Sequence, residues 1–377
     1  MPALLRVAEG VVLVYRLYDV ANEIDLTQAD EILRTRTGYL SSRLRLRRLR
    51  PRAVYFVNPP VTVTVDVEAS VLAEWPFSLQ QVTLRLYDFG VVSVRLDIPL
   101  SQGLSLEEAG DFFRQVMSTN PDALCRGIVV HVLREIASAL YKPQWDESMW
   151  EVEDYAILYI RRFDATPSPR ATEILSQYDV PRLLLGEEFE LSRQVKESIL
   201  RYTYTYSPDD VAVISWETAF VYDVEGIMDI PDLLEFANAQ LLELVYFDEL
   251  LDEELEGAYD DVELVQRQGM GLWRYRHLQR ILSRMMMTVV EVTELSGRVM
   301  NALKVTEDVY YAMVYSGATE ALGLNTWVAS VQQKVETLRS IYLMLAEEAA
   351  DARMMLLEVS IVILILAEIV LAVLGRW

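Results

Sequence analysis

The sequence predicts an α+β fold that continues into a long antiparallel helical hairpin and a C-terminal transmembrane helix. Three observations predict this organisation. Alternating apolar and polar residues, which are typical of half-buried strands, occur before Gln266. Beyond Gln266, apolar residues recur at steps of three and four, which is the spacing of long amphipathic helices. Residues 354–374 are almost entirely apolar and are long enough to cross a bilayer.

Strands are predicted where apolar side chains alternate with polar or aromatic ones over about five residues. The segments with this pattern are residues 11–15, 61–65, 82–86 and 202–206.

Two segments, residues 77–92 and 206–221, resemble copies of one unit at a constant offset of 129 residues. Each reads as a strand, a tight turn and a second strand, and each is followed by an Asp-Ile-Pro sequence that begins at Asp97 or Asp229. The economical interpretation is a duplicated hairpin-plus-helix unit, with helices on one face of mostly antiparallel sheets.

Domain boundaries follow from these patterns and from the two prolines and small polar residues around residue 166, which make a poor helix or strand. We expect a first α/β domain, a linker, a second α/β unit with an acidic end, a helical hairpin and a membrane anchor. Their predicted ranges are residues 1–163, 164–172, 173–265, 272–353 and 354–374.

The helical hairpin is predicted from two apolar seams of heptad spacing, separated by a stretch that Gly317 and Gly323 interrupt. That stretch predicts a short extra helix near the tip, and Asn325 is a candidate N-cap for the second long helix. The first seam contains Leu278, Ile281, Met285, Thr288, Val292, Leu295, Val299 and Ala302, and the second contains Val328, Val331, Val335, Leu338, Tyr342, Leu345, Ala349 and Ala352.

The apolar segment 354–374 would span about 31 Å as a helix, which matches the hydrocarbon core of a bilayer. Glu358 and Glu368 interrupt it, so a buried helix of a soluble bundle is the alternative. The heptad spacing of the second seam continues into this segment, so we expect one helical rod that ends in a tail anchor. Because residues 1–10 have no export-signal pattern, the bulk of the chain is expected in the cytoplasm, at the bacterial inner membrane.

Composition excludes several classes of site. One cysteine and two histidines rule out a disulfide framework and a cysteine- or histidine-rich zinc site. His131 and Cys125 are expected to be ordinary core residues. Glycine-rich nucleotide-binding loops and nucleophile elbows are absent. We therefore predict no catalytic residue, no metal ligand and no cofactor, and we do not expect an enzyme.

An acidic stretch carries nine carboxylates within residues 248–263. Such a run mostly repels itself and faces water. The alternative is a divalent-ion site on one helix face, which would make the chain a metal-dependent enzyme acting on a phosphate-bearing substrate. The residues for that site are Glu249, Asp252, Glu253 and Glu256.

An arginine island contrasts with the net charge of −23, because residues 34–52 hold eight arginines and no acid. Arginine clusters bind phosphate bidentately, in RNA or in a lipid headgroup. The alternative is neutralisation by the protein's own acidic surfaces or contact with a neighbouring subunit. The predicted anion-binding residues are Arg43, Arg45, Arg47, Arg48, Arg50 and Arg52, and Arg34 and Arg36 complete the island.

Homo-oligomerisation is expected because a single transmembrane helix cannot shelter two glutamates from lipid by itself. Packing against further copies of the chain would cover them. The residues proposed for the oligomer and membrane interface are Val331, Leu338, Leu345, Glu358 and Glu368.

Three short motifs resemble the "required for meiotic nuclear division" family. They are the strand turn Tyr87-Asp-Phe-Gly-Val-Val92, the helix and acidic exit from Phe236 through Phe247-Asp-Glu-Leu-Leu251, and the glutamate-containing membrane segment from Leu356 through Glu368 to Leu374. The similarity covers the last 170 residues or so in order. One departure is Trp216-Glu-Thr-Ala219, where that family has its glycine turn just ahead of the helix.

The resemblance implies a membrane-anchored, oligomeric, non-enzymatic factor of the kind that supports translation near the mitochondrial inner membrane. With 4 lysines beside 30 arginines, a GC-rich bacterial origin is expected rather than a mitochondrial one. The leading hypothesis is a tail-anchored scaffold or tether that presents its α/β domains to the ribosome, RNA or anionic lipid, and a wholly soluble bundle protein is the third hypothesis.

Overall fold

The fold is mixed α+β in a computed structural model, which describes residues 5–35, 39–43, 54–66, 75–267, 272–301, 303–305 and 309–374. The chain divides into two compact units. The first unit contains Met1–Glu243 and Arg298–Asn325, and the second contains Leu244–Gly297 and Thr326–Trp377. The predicted α+β class with long C-terminal helices is confirmed.

A nine-stranded sheet forms the centre of the first unit, in the order β10-β11-β12-β9-β1-β7-β6-β5-β3. Its strands are β1 (Val7–Asp19), β3 (Tyr39–Arg43), β5 (Val61–Val65), β6 (Gln81–Leu86), β7 (Val91–Pro99), β9 (Val152–Phe163), β10 (Thr203–Tyr204), β11 (Asp210–Ile214) and β12 (Thr218–Asp223). Two small ladders pair β2 (Ala21–Ile24) with β8 (Leu140–Pro143), and β4 (Val54–Phe56) with β13 (Leu303–Val305).

The long strand β1 organises this sheet, because it pairs antiparallel with β7 on one side and with β9 on the other. The next strand, β12, runs parallel to β9, and the remaining neighbours are antiparallel. Strands from both sides of residues 164–172 thus belong to one sheet. In the structure those residues do not separate two folding units, since the segment between β9 and β12 is a crossover within the first unit.

Both predicted hairpins are present, as β6–β7 and β11–β12. The first turns at Gly90, which has φ of +98°. A Cβ at this position would lie 1.6 Å from the carbonyl oxygen of Ala21, so only glycine fits the turn. The predicted strand at residues 202–206 is shorter than expected, since only Thr203–Tyr204 pair with β11.

Helices cover both faces of the sheet, whereas one face was predicted. One face bears α1 (Leu26–Arg34), α2 (Leu106–Met117), α3 (Asp122–Glu135), α4 (Ala171–Gln177), α5 (Val180–Leu185) and α6 (Arg193–Leu200). The opposite face bears the start of α7 (Asp229–Arg267) and the short helix α9 (Val309–Ala321). The first turns of α7 are buried all round, so they lack the one-sided pattern that indicates a surface helix.

The second unit is helical and contains three long segments rather than a two-helix hairpin. Beside α8 (Leu272–Asn301) and α10 (Leu324–Leu374) it includes the acidic half of α7. The predicted seams are its interior, with Leu278, Met285, Val292, Val331, Leu338 and Leu345 all buried. Helix α10 is one continuous rod of 51 residues, as predicted, and it begins at Leu324, so Asn325 lies in its first turn instead of capping it.

Candidate functional site

The apolar end of helix α10 is the most prominent exposed feature of the described residues. The helix is long and apolar enough to cross a membrane, and its most apolar stretch is not buried. Upstream, Val331, Leu338 and Leu345 face the interior of the second unit; from Met354 onward every described side chain is exposed or half-exposed. A contiguous apolar surface of this size marks an interaction or membrane surface.

The five residues predicted for an oligomer interface thus lie in two settings. Val331, Leu338 and Leu345 are already buried within a single chain, so they stabilise the helical unit itself. Glu358 and Glu368 are exposed on the apolar end of α10. Only the two glutamates remain uncovered and available to a second copy.

The acidic stretch lies on α7 within the second unit. Glu249, Glu253, Glu256 and Asp260 are exposed, as expected, whereas other acids of the stretch pair with cations of the neighbouring helices. Lys334 of α10 lies 2.8 Å from Asp248 and 2.6 Å from Asp252, and these carboxylates outweigh partial burial and raise its pKa. Arg284 of α8 lies 2.7 Å from Asp261. Among the described residues no three acidic, histidine or cysteine side chains group as metal ligands do. The stretch therefore joins helices, a role that its local sequence did not reveal.

Two arginines of the island, Arg34 and Arg43, lie within the described residues. Arg34 bonds Asp30 through a 3.0 Å contact, and Arg43 donates to the carbonyl of Pro59 and the hydroxyl of Thr27. Both arginines thus have partners within the first unit. The island members that lie outside the described residues are Arg36, Arg45, Arg47, Arg48, Arg50 and Arg52.

The single cysteine and the two histidines do not form a common site in the described part of the chain. Cys125 is buried on α3, and burial raises the pKa of its thiol to about 12, as expected for an inert core residue. His131 was expected in the core but is exposed, because the buried stripe of α3 runs through Cys125, Ile128 and Val132 instead. The side chain of His277 lies outside the described residues.

A buried ion-pair cluster, which the strand pattern did not predict, lies between β6 and α7. The Arg85 guanidinium donates to Glu235 at 2.5 Å and to Asp232 at 2.9 Å, and all three side chains are buried. On the neighbouring strand β7, Arg95 donates to Asp97 at 2.8 Å. The only sequence signal was Arg85 itself, a charged residue in a strand whose other residues are uncharged.

A second buried acidic group joins the end of β1 to α7. Burial raises the pKa of Asp19 to about 7, with the backbone N–H of Ala21 opposing the rise and Glu151 adding to it. Burial, followed by the Asp19 carboxylate, raises the pKa of Glu243 well above its ordinary value. One carboxylate oxygen of Glu243 has no hydrogen-bond partner. The two carboxylates therefore destabilise the fold when both are ionised.

Replacing Glu243 by glutamine is expected to raise the stability of the first unit near pH 8 by on the order of 1–2 kcal/mol. A carboxyl whose pKa is raised on folding binds its proton more tightly in the folded state, so stability falls as pH rises from about 4 to about 7. The substitution removes one of the two charges and should flatten this decline. Hydrogen exchange of the β1 amides between about pH 5 and pH 8 measures the change.

The matched control is Glu31→Gln, which neutralises an exposed acid on α1 of the same unit. It should leave the pH dependence of β1 exchange as it is in the parent chain. If the stability of Glu243→Gln and that of the parent chain changed equally with pH, the electrostatic coupling of Glu243 with Asp19 would be contradicted.

Comparison with known proteins gives one family and one curated relative. The family model described as "Uncharacterized protein MJ0711, N-terminal domain" matches residues 9–229, which include most of the sheet and end where α7 begins. "Uncharacterized protein MJ0711" of Methanocaldococcus jannaschii is 24% identical over 237 residues, covering 59% of this chain and 71% of the relative. No solved structure matches the chain. These matches do not bear on the "required for meiotic nuclear division" resemblance, which stays a prediction.

Proposed function

The chain belongs to the family described as "Uncharacterized protein MJ0711, N-terminal domain", and from its fold we propose that it is a membrane-anchored, homo-oligomeric interaction protein without enzymatic activity. The observation that carries the proposal is helix α10. A single rod packs one face of its upstream part into the second unit and leaves its apolar downstream part uncovered. Such a helix joins a folded unit rigidly to a bilayer.

The proposed membrane is the bacterial inner membrane, with the first unit on its cytoplasmic side. A soluble chain would have to leave the apolar side chains of residues 354–374, all but Glu358, Ser360 and Glu368, in water, which is strongly unfavourable. Lipid removes that cost for all of them except Glu358 and Glu368. Side-by-side packing of several α10 helices would shelter those two glutamates, which supports a homo-oligomer.

The second unit supports self-association through its surface. Helices α8 and α10 border an open groove of about 680 Å³ that is lined largely by apolar side chains, among them Met286, Met287 and Leu357. Both methionines are exposed in the single chain. Flexible methionine side chains adapt to a packing partner, and the groove continues toward the apolar end of α10. A second copy that packs along α10 would cover the groove and the glutamates together.

The partner of the first unit is proposed to carry phosphate, either as ribosomal RNA or as an anionic lipid headgroup. The arginine island supports this proposal through its charge, since its eight arginines stand in a chain of net charge −23. Arg34 and Arg43 already have partners in the chain, so the residues proposed to bind phosphate are Arg45, Arg47, Arg48, Arg50 and Arg52.

Extraction of the full chain in mild detergent, followed by measurement of particle mass and analysis of bound lipid and RNA, tests the proposal. We expect particles of a defined multiple of 43.2 kDa. The variant in which Arg45, Arg47, Arg48 and Arg50 are serine should keep that mass and bind less phosphate-bearing partner, with an effect that salt weakens.

The control variant replaces the same number of exposed arginines elsewhere by serine. These residues are Arg182, Arg193, Arg276 and Arg280. It should bind as the parent does. Release of a monomer without detergent would refute the anchor and the oligomer, and equal binding by the two variants would refute the role of the arginine island.

A further inference from the structure

The groove between α8 and α10 combines a single charge with a mostly apolar lining. Of the described residues that line it, Arg353 alone is charged. The other polar lining residues are Gln279, Ser283 and Tyr342, and the rest are apolar. The groove lies within the second unit, and its volume of about 680 Å³ is in the range of small-ligand sites. This lining complements an amphiphile, a molecule that joins one anionic group to an apolar chain.

The Arg353 guanidinium is available to an external anion. Its side chain is exposed, and no acid in the described part of the chain pairs with it. Asp351 is close in sequence, but side chains two residues apart on a helix do not face each other. The acids of α7 pair instead with Lys334 and Arg284. The groove therefore presents a cation that the fold itself does not neutralise.

The position of Arg353 along α10 places it at the depth of lipid phosphates if the helix crosses a bilayer as proposed. Arg353 directly precedes residues 354–374, and Met354 and Leu357 of that apolar segment line the same groove. The groove therefore continues from the folded unit to the level of the lipid. Basic sites beside membrane helices bind anionic headgroups, and a guanidinium binds phosphate bidentately.

Closure of the groove in an oligomer requires a counter-charge for Arg353. A second copy that packed only apolar side chains over the groove would bury the guanidinium unpaired, which is unfavourable. A phosphate group removes that cost, because it neutralises the guanidinium and accepts hydrogen bonds from its N–H groups. Gln279 and Ser283 supply two further polar side chains in the same groove.

We infer that the groove binds an anionic phospholipid, with its phosphate on Arg353 and an acyl chain along the apolar lining at Met354 and Leu357. The inference rests on the proposed membrane anchor and deepens it, because the lipid would lie between α10 and the second copy that the proposed oligomer places there. The site is separate from the arginine island, since Arg353 belongs to the second unit and residues 34–52 belong to the first. An anionic membrane lipid is then a structural component of the assembly.

Native mass spectrometry of the full chain in mild detergent, titrated with phosphatidylglycerol or phosphatidylcholine, counts the lipids bound per chain. We expect phosphatidylglycerol to bind about tenfold more tightly, because its headgroup carries no cation that competes with Arg353 for the phosphate. Arg353→Gln should remove this preference. The matched control is Arg339→Gln, which changes an exposed arginine of the same helix outside the groove and should bind as the parent does. The arginine island is unchanged in all three proteins, so the comparison isolates Arg353.

A second variant, Ala350→Phe, places a ring in the groove from an exposed position and should weaken binding of phosphatidylglycerol about tenfold. Its control is Ala329→Phe, at an exposed position of α10 outside the groove, which should bind as the parent does.

Three results would overturn the inference and leave the proposed oligomer standing. They are equal binding of phosphatidylglycerol by the parent and Arg353→Gln, displacement of the lipid by inorganic phosphate, and an oligomer that binds no phospholipid. The last result would mean that a protein group neutralises Arg353. Release of a monomer without detergent would refute the proposed anchor and, with it, the lipid site.

Discussion

Replacing Arg85 by methionine is expected to lower the free energy of unfolding of the first unit by about 3–5 kcal/mol. Asp232 and Glu235 are buried, and Arg85 is the cation that both carboxylates contact directly. Methionine fills much of the same space but leaves the two acids without the cation that contacts them, since Arg95 bonds Asp97 and reaches Glu235 only at longer range. The loss is large because the acids are already out of water, and the fold offers them no route to solvent.

The pH dependence of this loss distinguishes an unpaired charge from poor packing. Burial raises the pKa of Glu235, with Arg85 opposing the rise, so removal of Arg85 should raise that pKa further. The carboxyl then takes up a proton more readily in the folded state than in the unfolded state. The destabilisation should therefore shrink as pH falls from about 8 to about 5, whereas a packing defect would be nearly independent of pH.

Hydrogen exchange of the β6 and β7 amides measures this change in the first unit alone. The matched control is Arg161→Met, which removes an arginine that is about half exposed and paired with Glu9; we expect a loss of at most about 1 kcal/mol. Adding Glu235→Gln and Asp232→Asn to Arg85→Met should restore much of the stability. Equal losses for Arg85→Met and Arg161→Met would contradict this account of the cluster.

The hairpins and the buried partners of Arg85 differ in how well the sequence predicts them. The hairpins at β6–β7 and β11–β12 were predictable because alternation and turn residues are local signals. The partners of Arg85 lie 147 and 150 residues away, so no local pattern reports them. The same limit hid the crossover between β9 and β12, whose parallel pairing makes one sheet of what the sequence suggested were two units.

In the helical unit, too, features set within one helix were predictable, whereas contacts between helices were not. Heptad spacing predicted the buried seams of α8 and α10 and the continuity of α10, because periodicity is set by the helix itself. The acidic stretch of α7 was expected to face water, and Glu249, Glu253, Glu256 and Asp260 do so. Its ion pairs with Lys334 and Arg284 were not predictable, because those cations come from two other helices.

Introducing two aspartates at the centre of the apolar end of α10 is expected to abolish stable membrane attachment. Leu364 and Ile365 lie midway along residues 354–374, and both side chains are exposed. An aspartate at the centre of a membrane helix costs about 2.5–3.5 kcal/mol, so Leu364→Asp with Ile365→Asp removes most of what the apolar residues contribute. The segment already carries Glu358 and Glu368, which make its insertion into lipid less favourable, so two further charges should prevent insertion.

The matched control is Leu343→Asp with Met344→Asp, a neighbouring pair on the same helix that is exposed but lies upstream of the apolar segment. Carbonate washing of membranes measures the fraction of each protein that stays in the pellet. The control should remain with the parent chain, because aspartate is well solvated on a water-facing helix surface. Release of the parent chain by carbonate would indicate that the apolar end of α10 packs against a protein partner instead of lipid. Retention of both variants in the pellet would indicate that another segment of the chain anchors it.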